Sequence, residues 1–156
     1  MSGMLFIVAT PIGNLADASA RSLEVLRSAD LVACEDTRTT RTLLARYGID
    51  TPTVALHQHN ERAASDKLLN LLMEGKNLAL VSDAGTPALS DPGALLVEAA
   101  HRAGIKVSPV PGPSAASAAF SAAGFAADRY LFAGFLPATR AARVKALAGL
   151  GLALPL

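Results

Sequence analysis

The feature that most constrains this chain is a set of short, unbroken apolar runs, each ended by a loop or turn and followed by a helical pattern. The runs are residues 4–9 (MLFIVA), 31–34 (LVAC), 53–56 (TVAL), 78–81 (LALV) and 106–110 (KVSPV). Apolar runs without polar alternation mark strands buried on both faces. Helical patterns follow at 18–28, where Leu23 and Leu26 share a face, and at 37–47, 61–74, 92–103 and 114–123. Gly48, Gly75 and Gly104 stand where three of these helices should stop, and Asn60 stands as an N-cap for the 61–74 helix. Strand-then-helix repetition predicts a parallel sheet covered by helices on both faces, a three-layer α/β/α domain. A last strand is expected at 130–133.

Composition narrows the class. Of 156 residues, 51% are hydrophobic and 17% charged, the balance of a folded core rather than a disordered chain. The formal net charge of +1 gives no global field toward nucleic acid or membrane, so any such contact must rest on a local patch. The single cysteine, Cys34, excludes a disulfide framework within the chain and fits a reducing cytoplasm. Its place in an apolar run predicts a buried small hydrophobe. The N-terminus lacks the basic start of a signal peptide, and no apolar stretch reaches the ~18 residues of a membrane span. Aromatic residues are only 4%, too few to advertise a stacking platform for single-stranded RNA.

Open sheets of this class bind ligands in the crevice beyond the carboxyl ends of the strands. Three loops meet that description: 10–15, 82–93 and 111–114. The first places Pro11 and Gly13 where the chain turns sharply, and the second offers Ser82, Asp83, Gly85 and Thr86. The third offers main-chain groups and the Ser114 hydroxyl at a helix start. Neither a P-loop nor a dinucleotide fingerprint is present. A crevice with a carboxylate and no cationic phosphate binder suits a ligand carrying hydroxyls, an amine or a sulfonium. The plainer alternative is that Gly and Pro only turn the chain and Ser and Asp only cap helices.

The blocks TPIGNLAD, EDTRTTRTLL, LHQHNE, LVSDAGTPALSDPG, PVPGPSAASAAFSAAG and FAGFLP occur in this order. Together they resemble the N-terminal domain of the tetrapyrrole methylase superfamily, in the branch that methylates small-subunit ribosomal RNA. The resemblance runs over residues 5–143. It implies the tetrapyrrole methylase fold, S-adenosyl-L-methionine as methyl donor, and the ribose 2′-hydroxyl of a cytidine in 16S ribosomal RNA as acceptor. Donor-binding positions carried over by the matching motifs are Pro11, Val81, Ser82, Asp83, Gly85, Thr86, Ser114 and Ala115. The partner implied is ribosomal RNA or the small ribosomal subunit, in the cytoplasm and without a membrane, with a homodimer expected for the full-length form.

A ribose hydroxyl is a poor nucleophile, so a base or charge that assists its deprotonation is expected. The catalytic candidates are Asp36, His57 and Glu61, with Glu35 and His59 beside them. His57 and His59 lack an evident third ligand, so no metal is expected. Arg38, Arg41, Arg140 and Arg143 are candidates for RNA phosphate contacts, as are Arg46, Arg62 and Lys145; such contacts position but do not read sequence. Residues 1–134 are expected to form the methylase domain and 135–156 a linker with a truncated or aberrant tail, the family's second domain being absent. Two other readings stay open: a methylase of a tetrapyrrole such as a corrin precursor, and a non-catalytic fragment acting only through a partner.

Overall fold

The computed structural model describes residues 2–150. Every expected run up to residue 110 forms a strand: β1 (Met4–Val8), β2 (Leu31–Cys34), β3 (Thr53–Ala55), β4 (Leu78–Leu80) and β5 (Lys106–Val110). All pair in parallel, in the order β3-β2-β4-β1-β5. Alternation along each strand feeds two cores. In β4, Leu78 and Leu80 join Leu5, Leu68, Leu72 and Leu96 on one face. Ala79 joins Val8, Leu26, Val32, Cys34 and Leu44 on the other. Helices α1 (Ala20–Ser28) and α2 (Thr37–Arg46) cover the second face; α3 (Glu61–Met73) and α4 (Ala94–Arg102) cover the first. The expected three layers follow, and each fully buried leucine such as Leu72 or Leu78 contributes about 2 kcal/mol. Cys34 is buried, as its sequence context predicts.

Helix starts follow local chemistry. Ser19 Oγ accepts from the Ser22 amide at 3.0 Å, and Asp36 Oδ1 from the Arg38 amide at 2.8 Å. Asn60 is a correction. It occupies the N-cap position of α3, but its side chain makes no capping bond. Its Oδ1 instead accepts from the His57 amide at 2.8 Å, and its Nδ2 donates to the Ala55 carbonyl at 3.1 Å.

Strand order creates the crevice. From β1 the chain passes through α1 to β2 on one side; from β4 it passes through α4, on the opposite face, to β5 on the other side. The adjacent strands β1 and β4 therefore send their loops apart, which opens a switch point at their carboxyl ends.

The chain divides into two compact units, Met1–Phe125 and Ala126–Leu156. The first ends with α5 (Ala115–Ala122), none of whose side chains is buried. In the second, residues 130–133 do not form the expected strand. A strand needs a neighbour for its amides and carbonyls, and apolar composition alone does not supply one. The basic segment instead forms α6 (Arg140–Gly149), started by Thr139. Of the end of the expected tail, Gly149 closes α6 and residues 151–156 lie outside the described residues. No helix among the described residues is long and apolar enough to cross a membrane.

Candidate active site

The three loops read as a crevice are hydrogen-bonded to one another. Thr10 and Gly85 exchange main-chain bonds, Thr10 N to Gly85 O at 2.9 Å and Gly85 N to Thr10 O at 3.1 Å. The buried Thr10 hydroxyl donates to the Ser82 carbonyl at 3.1 Å, and the Thr86 hydroxyl to the Pro113 carbonyl at 3.3 Å. Ser82 is buried, its hydroxyl facing the carbonyls of Ala84 and Gly85. Gly85 has φ +86°, a conformation that side-chain-bearing residues rarely adopt, and an added Cβ would make only ordinary contacts with Ile12 and the Pro113 carbonyl. At Gly112 an added Cβ would lie 3.0 Å from the Ala9 Cβ. The 10–15, 82–93 and 111–114 loops thus form one wall, closely approached by backbone. Pro11 is buried in it, and Ser114 opens α5 with Ala115 exposed beside it. Val81 sends its side chain into the core, so only its main chain faces the loop.

The 82–93 loop is bent unusually hard. Besides Gly85 and Gly93, the non-glycine residues Ala88 and Ser90 have φ of 64° and 65°. Each costs roughly 1 kcal/mol and persists only where surrounding contacts enforce it. At the far end, Glu61 Oε1 accepts from the amides of Gly93 at 2.7 Å and Leu95 at 3.3 Å. Sequence reasoning missed Ala88, Ser90 and the partners of Glu61. The paired Ser-Asp steps and the Pro92-Gly93 ending were the signals of an enforced loop.

Beside this wall, at the carboxyl ends of β2 and β3, lies an open recess of about 440 Å³. Glu35, Asp36, Thr37, Arg38, Ala55, His57 and Asp83 line it. Asp83 joins the two regions, its Oδ1 accepting from the Asp36 amide at 3.1 Å. Neighbouring carboxyls here are pushed in opposite directions. Burial, with the charges of Asp83 and Asp91, raises Glu35. Side-chain and main-chain hydrogen bonds from Arg38 hold Asp36 down to about 2. Asp91, which sequence reasoning did not single out, is raised by burial. Nδ1 of the half-buried His57 is buried without a hydrogen-bond partner among the described residues. Its ring stands edge-on to the exposed His59, centroids 6.0 Å apart. A half-buried carboxyl with a raised pKa beside an imidazole is suited to taking a proton.

The predicted cationic residues separate. Arg38 is exposed at the recess and paired with Asp36. Arg41, on the same helix, is exposed and donates through Nε to Thr53 Oγ1 at 3.2 Å. Arg46 and Arg62 are exposed elsewhere on the first unit. Arg140, Arg143 and Lys145 lie in the second, where Arg143 donates to the carbonyls of Pro137 and Ala138.

The family model for tetrapyrrole (corrin/porphyrin) methylases matches residues 4–148. A ribosomal RNA small subunit methyltransferase I from Xylella fastidiosa is 56% identical over 141 residues, 90% of this chain and 52% of that protein. The protein of the same name from Escherichia coli O157:H7 is 55% identical over 145 residues, 93% of this chain and 51% of that protein. The chain spans about half the length of these curated relatives. Among solved structures, a uroporphyrin-III C-methyltransferase from Thermus thermophilus superposes with a TM-score of 0.62 at 26% identity, over 80% of this chain and 54% of that one.

Proposed function

The chain belongs to the tetrapyrrole (corrin/porphyrin) methylases, and from that premise we propose that it supplies the donor-binding half of an S-adenosylmethionine-dependent methyltransferase acting on small-subunit ribosomal RNA. The observation that carries this reading is the single wall made by the 10–15, 82–93 and 111–114 loops at the switch point. These loops contain no Lys or Arg. A backbone-lined crevice with Gly112 close against Ala9, Gly85 in a positive-φ turn and Asp83 beside it fits a ligand bearing an amine, ribose hydroxyls and a sulfonium rather than phosphate. The residues holding it are Pro11, Val81 through its main chain, Ser82, Asp83, Gly85, Thr86, Ser114 and Ala115.

When bound, S-adenosylmethionine supplies an activated methyl group. The chain's own task is then orientation of the acceptor and removal of its proton. The acceptor we propose is a cytidine 2′-hydroxyl. Among the acidic candidates, Asp36 is held by Arg38 as a weakly basic carboxylate, and Glu61 Oε1 accepts from main-chain amides. Glu35 and His57 are therefore the better-suited pair for the proton, with Arg38, Arg41, Arg140 and Arg143 meeting RNA phosphate. The RNA reading is favoured over a tetrapyrrole acceptor by identities of 55–56% to enzymes named for ribosomal RNA, against 26% to the uroporphyrin enzyme. We further propose residues 1–134 as the methylase domain, with residue 135 onward a linker, and a homodimer in the cytoplasm as the full-length form.

Calorimetric titration of S-adenosylmethionine into the 156-residue chain, followed by transfer of labelled methyl to small-subunit RNA, tests the proposal. Saturable binding is expected. Absence of binding by a chain that melts cooperatively overturns the donor reading, and transfer to a tetrapyrrole but not to RNA overturns the acceptor reading.

A further inference from the structure

We propose that Glu61 is a positioning residue, a clamp that fixes the far end of the donor loop from the start of α3. This rests on the donor-wall reading above. Helix α4 begins at Gly93, which has no side chain to satisfy the free amides of a helix start. Glu61, 32 residues earlier in the chain, supplies the missing acceptor. Its Oε1 takes the amides of Gly93 and Leu95 at 2.7 and 3.3 Å, where a carboxylate also meets the positive end of the helix dipole.

The clamp matters because of what lies between it and the sheet. The loop leaves β4 pinned by the Thr10–Gly85 exchange, then passes through Ala88 and Ser90 in left-handed conformations. A segment with two such residues relaxes unless both ends are held. Gly93 itself has φ +121°, and an added Cβ would lie 2.5 Å from Leu80 Cδ2, so the backbone is pressed against the core there. Thr10 fixes the near end and Glu61 the far one. The residue before Glu61 works in the same direction, since Asn60 braces His57 through its main chain. The His57–Glu61 turn therefore carries the recess on one side and the donor loop on the other.

The test is amide hydrogen exchange at Gly93 and Leu95, with S-adenosylmethionine titration in parallel, on Glu61→Ala, Glu61→Asp and Glu61→Gln. A charge-assisted bond of this kind corresponds to roughly a ten- to hundredfold change. Exchange at Gly93 is expected to quicken by at least about tenfold in Glu61→Ala and in Glu61→Asp, whose carboxylate falls one methylene short. Glu61→Gln, which keeps an acceptor oxygen in reach and loses the charge, should fall between the parent and Glu61→Ala, at about fivefold. Donor affinity should fall in the same order. Unchanged Gly93 exchange in Glu61→Ala overturns the clamp, as does fast exchange with donor affinity intact. Should Glu61→Ala fail to fold, the Asp and Gln variants decide. A parent chain that binds no donor, yet shows the expected exchange pattern, locates the failure in the donor reading rather than in the hydrogen bonds of Glu61.

Discussion

The two halves of the sheet's carboxyl edge are built from different materials. Beyond β1, β4 and β5, the wall is backbone: main-chain exchange between Thr10 and Gly85, carbonyls satisfied by Thr10 and Thr86, and glycines where loops approach. Beyond β2 and β3, the recess is side chains: Glu35, Asp36, Arg38 and His57. Backbone geometry is set when the chain folds and does not itself titrate; the acids carried by this wall are Asp83 and Asp91 of the 82–93 loop. A charged side-chain cluster is set by proton and salt conditions. On the proposed function, holding a ligand and moving a proton fall to neighbouring regions that single substitutions should separate, and Asp83 is where they touch.

The largest effect is expected from disturbing the backbone wall. Gly93→Val combines a left-handed φ with a collision against Leu80. It should cost about 3 kcal/mol or more in urea denaturation. A variant as stable as the parent would mean that the wall adapts, and the contrast with the recess would collapse. Next comes the joint between the regions. Asp83→Ala should abolish donor binding, about a hundredfold or greater loss of affinity by calorimetry, while the cooperative melt survives because Asp83 is exposed. Unchanged affinity would remove Asp83 from the wall and leave it to the recess alone.

Much of this edge was legible in the chain, for a physical reason. A parallel strand buried on both faces has no polar positions, so Leu78-Ala79-Leu80 announces itself, and its loop follows by topology. Composition failed where structure depends on which groups a residue meets in the fold. Residues 130–133 have the apolarity of a strand and do not form one. Asn60 has the chemistry of a cap, yet His57 and Ala55 claim its side chain. Glu61 reads as an acid beside two histidines, while its hydrogen bonds go to α4, 32 residues on. Ala88 and Ser90 give no hint of positive φ, since neither is a residue that prefers it.

The smallest expected effect is the sharpest for the contrast, because adjacent residues should respond to pH with opposite signs. Asp36 titrates at about 2 in the fold, below its ordinary 3.8. Its contribution is therefore complete above 3.8 and is lost as pH falls toward 2. Glu35 is raised above its ordinary 4.5 by burial and by Asp83 and Asp91. The folded state then holds that proton more tightly, so ionising Glu35 removes stability as pH rises from 4.5 through the raised value. Denaturation midpoints from about pH 2 to about pH 7 should show both limbs. Asp36→Asn keeps a capping oxygen for α2 and should shrink the acid limb, leaving the part that Asp30, also held down by Asn77 and Lys76, contributes. Glu35→Gln should reduce the decline above 4.5, leaving the part that Asp91, also raised by burial, contributes. If the two substitutions flatten the same limb, the carboxyls titrate as one coupled unit, and the recess, like the wall, must be treated as a single element.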